Sequence, residues 1–388
     1  TARSRNDQVA TDARLWLRDQ IELLESEIKQ WQAAILKQAN AHQATILPGT
    51  THQQHAQPIS LSYHLMAYFW AFQRHGMRLA HLKQMTNASP LGSAALAGTP
   101  FPIDREQTSQ DLGFDGPMPS ALDATSDRSY VMDALHLCSL IMLDLSRFAN
   151  EVVLWTTPEF GFLKLPDHLT TGSSIMPQKR NPRPLDRLRS AATAVIGSGH
   201  TVVLNAHNTN SGMNDYRDGS QVLQTAEHAG EMYRRYKDLM TWLVVIPERA
   251  LAEIDADYST MTEVADVLLR EAGIAFREGH HYASELTTLG RAEGKRPKDL
   301  SDAELGDTWR RVTGSELPLP IARIRAAMDP QAMVASRRGR GGPQPAEVER
   351  MLQQHRREIA NGREWLRAAR AGLSAAARER SQLFESLL

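Results

Sequence analysis

One apolar stripe near the start limits the architectures open to this 388-residue chain. Val9, Ala13, Trp16, Ile21, Leu24, Ile28, Trp31, Ile35 and Ala39 recur at intervals of three, four and once five, with charged residues between them. That is the period of a helix with one buried face, sustained for ~30 residues. A helix of that length packs lengthwise in a bundle rather than standing alone. Ser60–Gln84, Ser129–Trp155, Leu185–Asn205 and Gln221–Val245 repeat the pattern. Few stretches alternate with period two. The expected fold is all-α, a central bundle of five long helices.

The pattern changes after Pro247, which reads as the end of the fifth helix. Asp255–Leu305 reads as shorter helices broken at Gly273, Gly279, Gly290 and Gly294. A basic, glycine-rich loop Arg337–Gly342 and a polar, charged helical tail Pro345–Leu388 follow. The expected division is a bundle domain over 1–247 and a small helical C-terminal domain with its tail over 248–388.

Lys plus Arg (44) balance Asp plus Glu (45), so no global field favours nucleic acid or a membrane surface. A small anionic substrate needs only local positive charge. No apolar run reaches membrane-spanning length. The single cysteine, Cys138, lies among apolar residues, which excludes an internal disulfide and any Cys-based zinc site. It reads as a buried small hydrophobe in a reducing, cytoplasmic setting. The opening Thr1-Ala2-Arg3-Ser4-Arg5 reads as the interior of a longer polypeptide.

Function must come from the loops, and three are rich in reactive residue types. In Thr171–Pro182, Gly172 permits unusual backbone angles, and Ser173 and Ser174 offer hydroxyls. Lys179 and Asn181 add a cation and an amide, a set able to clamp a carboxylate while one serine acts on the neighbouring carbon. The plainer alternative is a flexible surface loop with a helix cap. In Leu47–Pro58, Thr51, His52 and His55 share a Pro-bounded loop. The two histidines sit at a metal-compatible spacing, but no acidic third ligand is near, so no metal is expected. In the third, Ser4, Arg5 and Asn6 precede the first helix with Asp7 as a candidate N-cap. Such groups at a helix N-terminus also suit a carboxylate.

Taken together and in this order, the loops resemble the fumarase–aspartase superfamily. Gly172–Pro182 is similar to its signature loop, and Gln178 resembles the argininosuccinate lyase branch. Ser4–Asp12, Pro48–His52, Pro90–Gly98, Phe101–Arg105 and Ser126–Arg128 fit that branch too, as do Trp155–Phe162 and Asp257–Leu305. The resemblance implies a homotetramer whose active sites borrow loops from three subunits, and a C–N elimination releasing fumarate without metal or organic cofactor. It implies that Ser173 takes the proton beside a carboxylate. Lys179 and Asn181, with Ser4, Arg5, Asn6, Thr51, Ser174 and Asn214, would hold the two carboxylates. His52 would assist proton transfer, with Asp186 where the family has Glu.

The departures cluster where the family grips the amine half. Met213 replaces a tyrosine, Asp218 a glutamine and Gln221 a lysine, while Asn214 is kept. Thr50, Gln53 and His55 also replace the commoner Tyr, Leu and Arg. A lost Lys and a gained Asp change local charge by about two units and bear on which amine fits. Argininosuccinate is the first expectation. A related lyase with another leaving amine is the second, and an inactive crystallin-like scaffold the third.

Overall fold

The computed structural model describes residues 2–212 and 220–386. Five long helices form the bundle: α1 (Arg5–Ala41), α2 (Leu61–Thr86), α3 (Ser129–Trp155), α4 (Arg183–Ala206) and α5 (Ser220–Trp242). They run alternately up and down. Lys83 of α2 pairs with Glu22 of α1 at 2.9 Å, and Gln32 reaches back to Phe69, so α2 descends beside α1. His75 to Asp144 and His64 to Glu151 make α3 antiparallel to α2. Gly199 lies against Leu135 and Ser139, which turns α4 down again. Gln38 donates to the Met240 carbonyl at 2.9 Å, so α5 rises parallel to α1. The shared core centres on Trp31, whose ring meets Phe72, Phe148 and Tyr236 edge-on.

The stripe on α1 differs from its sequence reading in the first four turns. Val9 is exposed and Trp16 half-buried, while Ala10, Arg14, Leu17 and Arg18 are buried. The inward face is polar there because it anchors loops and helix ends. Arg14 donates to the Met85 and Thr86 carbonyls and to Asp127 at 2.7 Å, and lies over the Tyr130 ring. Arg18 donates to the Leu112 and Gly113 carbonyls and the Asn87 side chain. These bonds from the terminal nitrogens offset much of the cost of burying each guanidinium, although among the described residues neither Nε has a partner.

The second loop is a β-hairpin, β1 (Ile46–Thr51) and β2 (Gln54–Ser60), not an irregular loop. Its turn residues His52 and Gln53 both have positive φ (52° and 60°). That geometry matches the twist of a two-residue hairpin even though neither residue is glycine. The fifth helix ends at Trp242, and Pro247 opens the next helix, Pro247–Ala256. Between them Val244–Val245 pairs with Leu163–Lys164.

The region after Pro247 builds its own small core from Tyr258, Val264, Leu268, Tyr282, Leu286 and Trp309 among others. Gly273 caps a helix in the left-handed conformation, as a break should. Gly279 and Gly290 instead lie inside the helix Phe276–Ala292. A Cβ at Gly279 would sit 3.3 Å from the Ala265 backbone, and one at Gly290 would collide with the Tyr258 hydroxyl. They are packing glycines. The last helix, α6 (Pro345–Ser386), is polar overall but returns along α1 and α2. Its Val348, Met351, Leu352 and Ile359 join the bundle core.

Candidate active-site loops

The chain's three loop clusters divide between the two ends of the bundle. α1 has 37 residues, and at 1.5 Å per residue it separates Asn6 from the hairpin by about 54 Å. Ser4, Arg5 and Asn6 lie at its start. Thr51 and His52 lie beyond its end, at the same end as the first turn of α4 and the loop leading into it. The structure therefore brings the hairpin and the signature loop to one end and leaves Ser4–Asn6 at the other.

At the lower end Ser4, not Asp7, is the N-cap of α1; Asp7 is the acidic partner of a capping box. Its buried carboxylate accepts the Ser4 N–H at 3.0 Å, and its other oxygen accepts those of Gly92 and Ala94 at 3.0 and 2.9 Å. The Asn6 amide donates to the carbonyls of Ala95 (3.0 Å) and Gly212 (2.9 Å), and the Gly212 N–H meets Ser126 Oγ at 2.8 Å. Three segments far apart in sequence, 89–98, 126–128 and 207–212, thus converge on the first turn of α1. The Asn6 donors are spent on this scaffold, a role the sequence does not announce. Met213, Asn214 and Asp218 lie outside the described residues. Gln221 falls in the first turn of α5, and its side chain is likewise outside them.

At the upper end, Thr171–Gly172 and Arg180–Asn181 pair antiparallel and hold the signature loop as a small hairpin. Ser173 is half-buried, and its Oγ accepts the backbone N–H groups of Ile175 (3.2 Å) and Met176 (3.0 Å). Two donors aimed at one oxygen favour its negative form. Ser174, Gln178 and Lys179 are exposed, and Ile175 at the tip is 85 % exposed. Asp186, exposed on the first turn of α4, faces Arg189 at 3.9 Å.

Between the β-hairpin and the end of α3 opens a cleft of about 640 Å³, lined in part by Thr50, Thr51, Gln53, His64, Arg147 and Glu151. Glu151 accepts from His64 Nε2 at 2.9 Å and from the Tyr68 hydroxyl at 2.6 Å. Burial raises the Glu151 carboxyl, but the His64 and Tyr68 hydrogen bonds and Arg147 outweigh it and hold it below the usual range. Burial and the neighbouring carboxylate push the Tyr68 phenol up. Sequence reading missed this cluster. Its signal was polar residues inside the apolar registers of α2 and α3. His55 is turned to Asp257 at 3.3 Å rather than toward His52. Among the described residues no group of three His, Cys, Asp or Glu side chains gathers as metal ligands.

Comparison with known proteins agrees with this architecture. A family model described as "Lyase" matches residues 1–197, and one described as "Argininosuccinate lyase C-terminal" matches 258–335. An argininosuccinate lyase of Maricaulis maris (strain MCS10) is 40 % identical over 350 residues, 90 % of this chain and 72 % of that protein. A crystal structure of EDDS lyase in complex with formate superposes with a TM-score of 0.91 at 28 % identity, covering 98 % of this chain and 76 % of that one. The 3-carboxy-cis,cis-muconate lactonizing enzyme from Pseudomonas putida shares the fold, with a TM-score of 0.69 at 20 % identity over 92 % of this chain and 77 % of that one. With two family matches in tandem and a 40 % identical relative along nine-tenths of its length, the chain belongs to the argininosuccinate lyase branch of the fumarase/aspartase superfamily and is a carbon–nitrogen lyase of that type.

Proposed function

We propose that this lyase releases fumarate from an N-substituted aspartate, with argininosuccinate as the first candidate substrate. The observation that carries the reading is the Ser173 oxygen with two backbone N–H groups aimed at it, at 3.0 and 3.2 Å. A serine hydroxyl is a poor base until its oxyanion is stabilised, and preorganised N–H donors do that in the manner of an oxyanion hole. In that form Ser173 Oγ takes the proton from the carbon beside one carboxylate, and the electron pair delocalises into that carboxylate. Lys179 and Asn181, with Ser4, Arg5, Thr51, Ser174 and Asn214, hold the two carboxylates and stabilise the added charge, while Asn6, whose two amide protons go to the Ala95 and Gly212 carbonyls, orders the segments beside them. The C–N bond then breaks with its electrons on nitrogen, which takes a proton from His52, and the fumarate double bond forms. Asp186 serves as the acid partner of His52.

The site is shared between copies in a homotetramer. Residues separated by about 54 Å along α1 cannot meet on one substrate, whereas antiparallel copies would set the start of one α1 against the hairpin end of another. Residues 1–247 form the unit that carries the site, and 248–388 a lobe whose last helix returns to the bundle. A cytoplasmic setting and a place in arginine biosynthesis go with argininosuccinate as substrate.

A second reading keeps the chemistry and changes the leaving amine. The replacements at Met213, Asp218 and Gln221 favour it, as does the likeness to EDDS lyase at 28 % identity. Fumarate release from a panel of N-substituted aspartates separates the two. Fastest turnover of argininosuccinate supports the first reading; turnover confined to another amine assigns the three replacements to specificity.

A further inference from the structure

The hairpin that carries Thr51 and His52 is fastened to the C-terminal lobe by a contact the reaction above does not use. His55, opposite Thr50 on the hairpin, places Nδ1 3.3 Å from Asp257 Oδ2. Asp257 follows the helix Pro247–Ala256 and is itself fixed. Ser259 Oγ donates to Oδ2 at 2.9 Å and Arg291 to Oδ1 at 3.2 Å. The other links between hairpin and lobe include the apolar contact of Ile46 with Ile254 and Val334. That contact sets distance but not the rotation of the turn.

The turn needs such a hold. His52 and Gln53 both adopt left-handed backbone angles, a conformation unfavourable for a residue that carries a side chain. Gly49 lets the strands close, since a Cβ there would fall 2.5 Å from the Gln57 carbonyl. Strain of this kind persists only where the surroundings over-determine it.

We propose that His55 and Asp257 form a latch that positions the hairpin bearing Thr51 and His52, and that the latch tightens when the His55 imidazole is protonated. The role of the hairpin in turnover rests on the lyase reading; the latch itself does not. Histidine is the side chain whose charge ordinarily changes between pH 5 and 8. Burial raises the Asp257 carboxyl. The Tyr258 N–H, the Ser259 hydroxyl, His55 and Arg291 outweigh burial and keep it below the usual range. Its carboxylate is therefore ionised throughout that window. A protonated His55 makes a charge-assisted bond to it; a neutral one makes a weaker bond, and only as the Nδ1–H tautomer. Both side chains remain about a quarter exposed (22 % and 26 %), so the effect is a few-fold one.

The charged groups beside the hairpin on the elements around it include Glu248, Arg249, Glu253 and Asp255 of the helix Pro247–Ala256, His64 in the first turn of α2, and Arg147 and Glu151 of α3 across the cleft. Arg249 pairs with Glu253, Lys298 with Asp255, and His64 with Glu151. The helix Pro330–Ser336 carries none, and Arg337 just beyond it faces Glu263 and Asp266.

The test is hydrogen exchange of the amides of 46–60 at pH 6 and pH 8, corrected for intrinsic rates, with kcat and KM on the same full-chain samples. In the unsubstituted protein the hairpin should exchange on the order of two- to fivefold faster at pH 8 than at pH 6. His55→Arg should hold the slow rate at both pH values, and His55→Leu the fast one, with kcat falling in step. Equal hairpin exchange in His55→Leu and the unsubstituted protein at pH 6 would overturn the latch, as would a pH effect that survives in His55→Arg. Asp257→Asn should match His55→Leu; should it unfold because Ser259 and Arg291 lose their acceptor, the two histidine variants decide alone. Absence of fumarate from every N-substituted aspartate would sink the lyase reading, while the exchange rates would still decide the latch.

Discussion

Asp7 accepts the backbone N–H of Gly92 at 3.0 Å across 85 positions of sequence, and through it the start of α1 is clamped to the 89–98 loop. The same carboxylate takes the N–H groups of Ala94 and Ser4, so three donors converge on one fully buried side chain. An amide in its place would turn two protons toward donors and leave them unmet.

Asp7→Asn is therefore expected to lower stability by about 3 kcal/mol. The urea midpoint at fixed protein concentration measures it. A loss within about 0.5 kcal/mol would mean that water or a shifted loop satisfies these donors as well as Asp7 does.

His355 on α6 supplies a pH prediction. It is sealed between α6 and α2, stacked on Phe69 with centroids 3.7 Å apart and planes 9° apart, and among the described residues neither ring nitrogen has a partner. Burial, helped by Arg350, holds it down to about 3, against an ordinary value of 6.5. The unfolded chain therefore takes up the proton first as pH falls. The stability contribution is fully present above about pH 6.5 and is lost toward pH 3, by about 1.4 kcal/mol per unit within that window. His355→Leu should flatten the fall of the urea midpoint between pH 6.5 and 4.5. Parallel curves for the two proteins would show that His355 is protonated in the folded state without cost.

The proposed sharing of the site between copies makes a separate prediction. Arg5→Ala and Ser173→Ala should each be inactive alone, because the proposed site draws the two residues from opposite ends of different chains. Mixed, unfolded and refolded together, they should regain on the order of a quarter of the unsubstituted turnover, from sites that draw both native residues. No recovery from a mixture that reassembles would place both residues of a site on one chain.

The bundle was legible because helical period survives in any long apolar face. α3 runs over Ser129–Trp155, as its pattern implies, and α2 begins one residue after Ser60, its N-cap. What period does not show is a buried face that is polar. Asp7, Arg14 and Arg18 share the inward register of Ile21 and Ile28, and only loops folding back on them reveal why. The hairpin at His52 was hidden for a related reason: its turn uses left-handed His and Gln where the usual sign is Asn-Gly. The residue types of the proposed site stand in order along the chain and can be read there. Their division between two ends of the bundle cannot, because spacing in sequence carries no direction in space.

The most direct measurement is fumarate absorbance after adding argininosuccinate, or another N-substituted aspartate, to the unsubstituted protein and to Ser173→Ala side by side. The account predicts release by the unsubstituted protein and a loss of roughly 10³-fold or more in Ser173→Ala, with the fold intact. Undiminished release by Ser173→Ala, or no release from any substrate by a folded assembly of the unsubstituted chain, would contradict it.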